Sequence, residues 1–580
     1  MNTASCNATW AATLLGNLHQ AGVEDVVLSP GSRNTPLVVA AEAHDGLQTH
    51  VLLDERVAGF FALGRARMTG RAVALVCTSG SAGSHHLPAL IEAREAGIPL
   101  IAITADRPRE LHHSGAAQTI EQQGLHGAHV LATYSLNAPS EVSPRWLAGI
   151  ALQAVQTATG SPAGPVHINA PFRKELWDAS PRDPSPLHLA ELFPAASAPS
   201  QAAVERIQSI LQTGRQGVFV CGPAIQPVRG DAEQAHAALL SLATALGWPL
   251  LADPLSGVRH GGDPEAPVPG SYDVFLRNDA LRHSLKADVV IRTGRVPTSV
   301  ALCTWIQEQE DAEHVLLTPG NRWTDPLHTT TVWMDADAHP LLEQAQTPAI
   351  EAADAQWAAR WLAADTRALE QLQAFHEGAR GGGVSEAAIA ATLISTLPAA
   401  SVLHVASGMS VREVDAFGPR RTQPLLITSN RGANGIDGTL STALGQASAT
   451  GRSDTTVLMG DLAFLHDLGG LSAASRSDHD LLVIVVDNGG GGIFERLPIA
   501  TSDLFERCFL TPHDQDLAQV ARAWTPHVQS AATEEEFQDA FTTLRHLPGL
   551  RIIHVQVDRD LDLARHVSFF KTVQCEETPA

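Results

Sequence analysis

Two apolar runs, Thr455-Thr456-Val457-Leu458-Met459 and Leu481-Leu482-Val483-Ile484-Val485-Val486, stand one helical crossover apart. Strands joined in this way lie parallel and bring their C-terminal ends side by side, where ligands bind in open α/β sheets. The first run ends in Gly460-Asp461-Leu462 and the second in Asp487-Asn488-Gly489-Gly490. An acid at the end of one strand and an amide at the end of the next therefore face one point. With a backbone carbonyl they form an all-oxygen donor set. That set suits a hard cation such as Mg²⁺, which keeps its other positions for phosphate oxygens and water. Glycines on both sides let the backbone approach a diphosphate closely. The plainer alternative is a βαβ unit that ends in ordinary turn residues.

Short apolar runs alternate with helical periodicity along the whole chain, the pattern of α/β domains on parallel sheets. With 580 residues the chain is too long for one core. Three blocks emerge. The first, 1–185, closes at the strand-like Gly164-Pro165-Val166-His167-Ile168-Asn169. A Pro/Ser/Ala-rich stretch over 179–201 is expected to be a linker. The second block, 202–348, has strands at Gly217-Val218-Phe219-Val220, Asp288-Val289-Val290-Ile291 and Val315-Leu316-Leu317. A long Ala-rich helix over about 350–377 and Gly381-Gly382-Gly383 separate it from the third block, 385–580. Blocks one and three echo each other. The run 72–77 leads through a helix over 87–96 into 99–106, much as 457–459 leads through a helix over 464–474 into 481–487. Upstream, Val26 to Arg33 parallels Leu425 to Gly432.

Lys+Arg 39 against Asp+Glu 62 gives a formal net charge of −23, which argues against a nucleic-acid or anionic-membrane partner. A few local arginines can still outweigh a diffuse negative field. The six cysteines, Cys6, Cys77, Cys221, Cys303, Cys508 and Cys575, are scattered without a CxxC pair. No zinc site and a reducing, cytoplasmic setting are expected. The stretch Met1 to Trp10 has no basic segment leading into an apolar core, so no signal peptide is expected. No run approaches the ~18 apolar residues of a membrane span.

Val51-Leu52-Leu53-Asp54-Glu55-Arg56 places two acids after a strand of the first block. The helix expected next, 57–68, has Ala58, Phe61, Ala62 and Arg65 at helical spacing. Either acid reads as an N-terminal helix acid stabilised by the dipole. Arg33 (after Ser32), Arg107 and Arg431 each follow an apolar run, at expected C-terminal strand ends. A single surface arginine is usually solvated or paired. Three at equivalent rim positions suggest a pocket for a substrate with several carboxylates, which guanidinium binds in bidentate fashion. His85-His86, His112-His113 and His466 lack ligand spacing and read as packing or loop residues. Cys77 reads as buried and inert.

The Gly460-Asp461…Asn488 pattern resembles the signature of thiamine-diphosphate (ThDP) enzymes. The motifs Ser29-Pro-Gly-Ser-Arg-Asn-Thr-Pro36, Asp54-Glu-Arg-Val-Ala-Gly-Phe60 and Thr104-Ala-Asp-Arg-Pro108 are similar to one family among them. So are Ser429-Asn-Arg-Gly-Ala-Asn-Gly-Ile-Asp-Gly438, Gly460-Asp-Leu-Ala-Phe-Leu-His-Asp467 and Asp487-Asn-Gly-Gly-Gly-Gly-Ile-Phe494. It is the 2-succinyl-5-enolpyruvyl-6-hydroxy-3-cyclohexene-1-carboxylate synthases of menaquinone biosynthesis. The Ser-Pro-Gly-Ser-Arg and Ser-Asn-Arg-Gly-Ala motifs separate it from acetolactate synthases and pyruvate decarboxylases. The resemblance spans blocks one and three and, more weakly, block two.

It implies an α/β protein of three doubly wound parallel-sheet domains of the 2-oxo-acid decarboxylase type. These are a pyrimidine-binding domain, a middle domain and a diphosphate-binding domain. It implies ThDP with Mg²⁺, or Mn²⁺, as cofactors, and 2-oxoglutarate and isochorismate as substrates. By the same resemblance Glu55, rather than Asp54, activates ThDP through the N1′ atom of its aminopyrimidine. Asp461, Asn488 and the Gly490 carbonyl hold the metal. Gly408, Met409, Arg431, Gly460 and Leu462 line the cofactor, and Ile436 is the bulky residue under its bend. Ser32, Arg33, Arg107, Gln118, Arg412, Arg431, Ile493 and Phe494 match substrate-pocket positions. A homodimer or homotetramer is implied, with active sites between the first domain of one subunit and the third of another.

Three positions depart from the family pattern. Val300 stands where a lysine is usual, which leaves Arg292 or, preferably, Arg295 to meet a carboxylate. Gly408 replaces a common serine, and Ala117 replaces an asparagine before Gln118. Two rival readings remain. One is a ThDP carboligase acting on another acceptor. The other is a catalytically silent ThDP-fold protein, which the intact Glu55, Asp461 and Asn488 argue against.

Overall fold

The computed structural model describes residues 2–139, 143–177, 190–193, 198–211, 214–224, 232–345, 352–379, 382–450 and 455–575. Each block forms its own sheet, and every paired strand is parallel. The first sheet is made of Asp25–Leu28, Gln48–Val51, Val73–Cys77, Leu100–Asp106, Thr133–Ser135 and Val166–Pro171. Counted within the domain, their spatial order is 2-1-3-4-6-5. The third sheet, Ser401–Val405, Leu425–Thr428, Thr455–Gly460, Leu481–Asp487, Val528–Ala531 and Leu550–Gln556, has the same order. The middle sheet, Gly217–Cys221, Leu250–Ala252, Val289–Thr293, Glu313–Leu317 and Val332–Met334, runs 2-1-3-4-5 from one edge. Helices cover both faces, so central strands such as Val73–Cys77 are buried throughout and read as continuous apolar runs.

The shared strand order corrects the upstream half of the echo. Asp25–Leu28 is the first strand of its domain, while Leu425–Thr428 is the second strand of the other and lies at its edge. The true counterpart of the loop carrying Arg33 is Ala406-Ser407-Gly408. The loop carrying Arg431 and Ile436 corresponds to the one carrying Glu55. Any two short apolar strands look alike in sequence, and only their place in the sheet separates them.

That correspondence has a packing consequence. The helices that follow the two second strands, Glu55–Thr69 and Thr439–Thr450, pack against each other and join the first and third domains. Gly64 faces the Thr442 carbonyl, and Gly445 faces the Phe61 carbonyl, each too closely for a Cβ. One apolar cluster runs through this contact, from Phe60, Leu63 and Ala66 to Leu440, Leu444, Met459 and Phe464. The helix expected over 464–474 is broken in two, Asp461–His466 and Leu468–Ala474. At the break, the buried Asp467 accepts hydrogen bonds from the backbone N–H and hydroxyl of Ser441, both at 2.8 Å.

The Ala-rich helix spans Ala355–Ala379 and is no spacer. Trp357 and Trp361 are fully buried in the middle domain's core, and the Trp357 indole donates to the Gly217 carbonyl at 2.8 Å. Residues 178–189 and 194–197, most of the expected linker, lie outside the described residues, as does Gly381.

The first domain buries several histidines. Burial holds His86 and His167 down at about 3. Below pH ~6.5 the unfolded chain takes up protons at these positions and the folded chain does not. Stability from these two groups is therefore complete above ~6.5 and is lost as the pH falls from there towards 3. One unit below ~6.5 each costs about 1.4 kcal/mol. Melting temperature should drop steadily between pH 6.5 and 4.5. The slope should be shallower in His86→Leu; an unchanged slope would remove His86 from the account.

Candidate active site

The predicted residues gather into two clusters, one at the carboxyl end of the first sheet and one at that of the third. In each sheet strands 1 and 3 are neighbours there and their connections diverge, which opens a crevice. In the first domain, strand 1 delivers the loop Ser29–Pro36 and strand 3 delivers Thr78-Ser79-Gly80. The Arg33 backbone N–H donates to Thr78 Oγ1 at 3.2 Å, and its guanidinium donates to the Phe172 carbonyl at 2.6 Å. Burial, with the Arg107 charge beside it, holds buried Arg33 below the usual arginine range. Gln118, exposed and with φ at +53°, lies against Gly80. Ser32, Arg33, Arg107 and Gln118 thus share one rim. Gln122, which the sequence reading missed, pins it: its Oε1 accepts from Gly80 N–H at 2.9 Å and its Nε2 donates to Asn169 at 3.0 Å.

In the third domain, Gly408 begins the helix Met409–Phe417. A Cβ at Gly408 would meet nothing within 4 Å, so the missing serine reflects no lack of space. Arg412 donates to the carbonyls of Ser407 and Gly408, at 3.2 and 2.6 Å. The Ser407 hydroxyl donates to the Asn430 carbonyl at 2.6 Å, which ties this loop to the one carrying Arg431. Burial and the charge of Arg412 depress Arg431; burial and Arg496 depress Arg412. Like charges gathered in this way favour an anionic ligand.

Beside them lies the candidate cation site. Thr455–Gly460 and Leu481–Asp487 pair in register, with Gly460 opposite Val486. Asp461 is buried, and its carboxylate accepts from Leu462 N–H at 2.6 Å and Gly490 N–H at 2.7 Å. Burial, with Asp487 close by, pushes Asp461 up from the usual carboxylate range, as expected of a carboxylate short of positive charge. The Asn488 Oδ1 is buried without a hydrogen-bond partner, while its Nδ2 donates to Glu386 at 2.8 Å. Gly490 has φ +139° and lies against the Leu510 carbonyl, so no side chain fits there. An anionic oxygen, an orphaned amide oxygen and a glycine backbone suit a hard divalent cation.

A second grouping, unforeseen from sequence, is Asp461, Asp487 and His513, whose ligand atoms lie within 4.8 Å of one another. Asp487 is already engaged, by His554 at 2.7 Å and by Gly489 N–H at 3.1 Å. His513 stands 52 residues from Asp461, with no spacing signal to reveal it.

The structure separates the roles of Asp54 and Glu55. Asp54 caps the helix Glu55–Thr69, accepting from Arg56 N–H at 2.8 Å and Val57 N–H at 3.4 Å. The Glu55 carboxylate has no hydrogen-bond partner among the described residues. No hydrogen bond or ion pair there joins it to Asp461, Asn488 or Gly490. Ile436 is 40% exposed on its loop. Ile493 belongs to the short turn Gly492–Arg496, and Phe494 packs on Phe509 with ring centroids 5.8 Å apart.

Of the two arginines offered in place of the lysine, Arg292 is already engaged. It is buried and pairs with Asp325 at 2.9 Å and Thr330 at 2.8 Å. Arg295 reaches the carbonyls of Glu95 and Gly432, the latter at 3.3 Å, next to Arg431. Val300 is 74% exposed at the start of its helix. Glu92, also missed, accepts from Gly432 and Ala433 N–H at 2.8 and 2.7 Å and so holds the Arg431 loop from the first domain.

Residues 8–125 match the family described as thiamine pyrophosphate enzyme, N-terminal TPP binding domain. Residues 197–405 match the middle domain of thiamine pyrophosphate enzymes, and 406–555 the C-terminal TPP binding domain. The chain is 37% identical to a 2-succinyl-5-enolpyruvyl-6-hydroxy-3-cyclohexene-1-carboxylate synthase of Chloroflexus aurantiacus, over 97% of this chain and 96% of the relative. Proteins of the same name from Sorangium cellulosum and Listeria monocytogenes are 38% and 35% identical. They cover 96% and 97% of this chain and 94% and 97% of their own lengths.

Proposed function

The chain belongs to the 2-succinyl-5-enolpyruvyl-6-hydroxy-3-cyclohexene-1-carboxylate synthase family of ThDP-dependent, C–C bond-forming enzymes, and from that premise we propose its substrates, metal and site. It decarboxylates 2-oxoglutarate and adds the remaining succinyl-semialdehyde unit to isochorismate in a 1,4-addition, releasing CO₂, in menaquinone biosynthesis. The observation that carries this reading is the pair of arginine clusters, Arg33 with Arg107 at the carboxyl end of the first sheet and Arg412 with Arg431 at that of the third, the latter on the domain that holds the cation-ready Asp461–Asn488 pair.

When bound, ThDP supplies a nucleophilic carbon that also accommodates the negative charge left by CO₂. The residues of this chain do the rest. Glu55 holds and returns a proton at the aminopyrimidine ring nitrogen. Asp461, Asn488 and the Gly490 carbonyl would hold Mg²⁺ or Mn²⁺, and Gly408, Met409, Gly460, Leu462 and Ile436 would line the cofactor. The arginines, with Ser32 and Gln118, bind the substrate carboxylates and hydroxyl groups. Ile493 and Phe494 keep water from the reacting centre, which favours loss of charge on decarboxylation.

A homodimer or homotetramer with shared sites fits the exposure of Val51 (62%) at the end of its strand and Leu53 (71%) in the turn that leads to Glu55. Among the described residues no helix is long and apolar enough to cross a membrane. A cytoplasmic location and the absence of a nucleic-acid partner are part of the same reading.

Supplying 2-oxoglutarate, ThDP and Mg²⁺ should release CO₂, and adding isochorismate should yield the adduct mass; CO₂ release without an adduct would indicate another acceptor. Arg33→Ala, Arg107→Ala and Arg412→Ala should each lower kcat/KM by about 10–100-fold, at ~1.5–3 kcal/mol per lost charged contact, with the ThDP dissociation constant unchanged. A weaker ThDP affinity with normal substrate kinetics would move these residues to the cofactor. Val300→Lys should lower one substrate's KM and Arg295→Ala should raise that same KM. No change from either would take the middle domain out of the substrate site.

A further inference from the structure

We propose that Glu386 is a positioning residue for the cation: it takes the amide N–H of Asn488 and so turns the Asn488 oxygen outward as a ligand. The inference rests on the reading of Asn488 as a cation ligand. Glu386 opens the first helix of the third domain, Glu386–Thr396, and lies 102 positions before Asn488. Asn488 Nδ2 donates to Glu386 Oε1 at 2.8 Å, and Asn488 Oδ1 is buried with no partner. The two ends of an amide are nearly isosteric, so packing alone does not choose between them. A hydrogen-bond partner does: Glu386 Oε1 is the acceptor in this contact, and only the nitrogen end of the amide donates to it. A buried amide oxygen left unpaired is costly, and it persists where a ligand completes it.

Glu386 is itself held. Its backbone N–H donates to Asp562 Oδ1 at 3.2 Å. Asp562 and Glu413 flank His566, whose Nδ1 lies 3.3 Å from Asp562 Oδ2 and whose Nε2 lies 2.8 Å from Glu413 Oε2. Arg496 approaches Glu413 at 3.6 Å. Glu413 and Asp562 share one histidine, Glu413 also faces one arginine, and both carboxylates are buried beside Glu386. Such an arrangement contributes little to stability on its own account. Its geometric effect is to fix Glu386, and through it the end of Asn488 that faces the cation.

The test is Mn²⁺ titration followed by electron paramagnetic resonance in the presence of ThDP, with melting of the cofactor-free protein measured alongside. Glu386→Leu should weaken Mn²⁺ by about 10–100-fold, the usual cost of losing a partner behind a metal ligand. Its cofactor-free melting temperature should be no lower than that of the wild type, because a carboxylate leaves a like-charged cluster. Glu386→Gln should stay within about threefold of the wild type, since its Oε1 still accepts from Asn488 while Glu413 and Asp562 can take its own N–H groups. Unchanged Mn²⁺ affinity in Glu386→Leu would overturn the proposal. So would equal weakening in both variants together with a lowered cofactor-free melting temperature, which marks a structural role. Asn488→Ala separates the two layers: if it leaves Mn²⁺ affinity intact, the ligand assignment fails and this inference with it. If it weakens Mn²⁺ while Glu386→Leu does not, only the role of Glu386 is overturned.

Discussion

Glu55→Gln should lose nearly all turnover while keeping its fold and its affinity for ThDP. The substituted amide still hydrogen-bonds a ring nitrogen, but it has no proton to exchange at neutral pH. General acid–base groups contribute about 10²–10⁴-fold, and a loss of that size in kcat is expected. The helix should form normally, because its N-cap is Asp54, whose carboxylate accepts from Arg56 and Val57. Asp54→Ala separates the two acids. It should lower the melting temperature by the ~0.5–2 kcal/mol of a lost cap and leave the ThDP chemistry in place. Near-wild-type turnover in Glu55→Gln would end the assignment of Glu55. Loss of turnover confined to Asp54→Ala would transfer it to the neighbour.

Asp461→Ala should abolish stabilisation by ThDP with Mg²⁺. A ligand at 100 times its dissociation constant adds about 2.7 kcal/mol to folding stability, read as a rise in melting temperature. The variant should show almost none of that rise, because the cation loses its only charged protein ligand in the Asp461, Asn488 and Gly490 set. Mn²⁺ in place of Mg²⁺ should not restore it. The cofactor-free protein should not be greatly destabilised: the removed carboxylate is buried and stands near Asp487, although Gly490 N–H loses its acceptor at 2.7 Å. A full cofactor-induced shift in the variant would place the metal elsewhere, with Asp487 and His513 the alternative.

Sequence alone determined the parallel-sheet class, the three blocks and the residues at strand ends. The reasons are local. Strands buried on both faces read as apolar runs, and the proposed ligand residues follow them directly, so Arg33, Arg107, Asp461 and Asn488 are legible as candidates from pattern and motif. Tertiary structure decided what depends on contacts between distant segments. Asp54 and Glu55 are both helix-start acids by local pattern; the motif resemblance favours Glu55, and the tertiary structure adds that Asp54 is spent on the cap. Arg295 is the favoured arginine from its place in the loop, and only the tertiary structure shows that Arg292 is held by the Asp325 carboxylate. The runs at 26–28 and 425–427 match as strings, yet strand order makes them non-equivalent. Glu92, Gln122, Glu386 and His513 carry no local signal at all. Each acts on a segment that a different crossover delivers, and a hydrogen bond of 3 Å says nothing about separation along the chain.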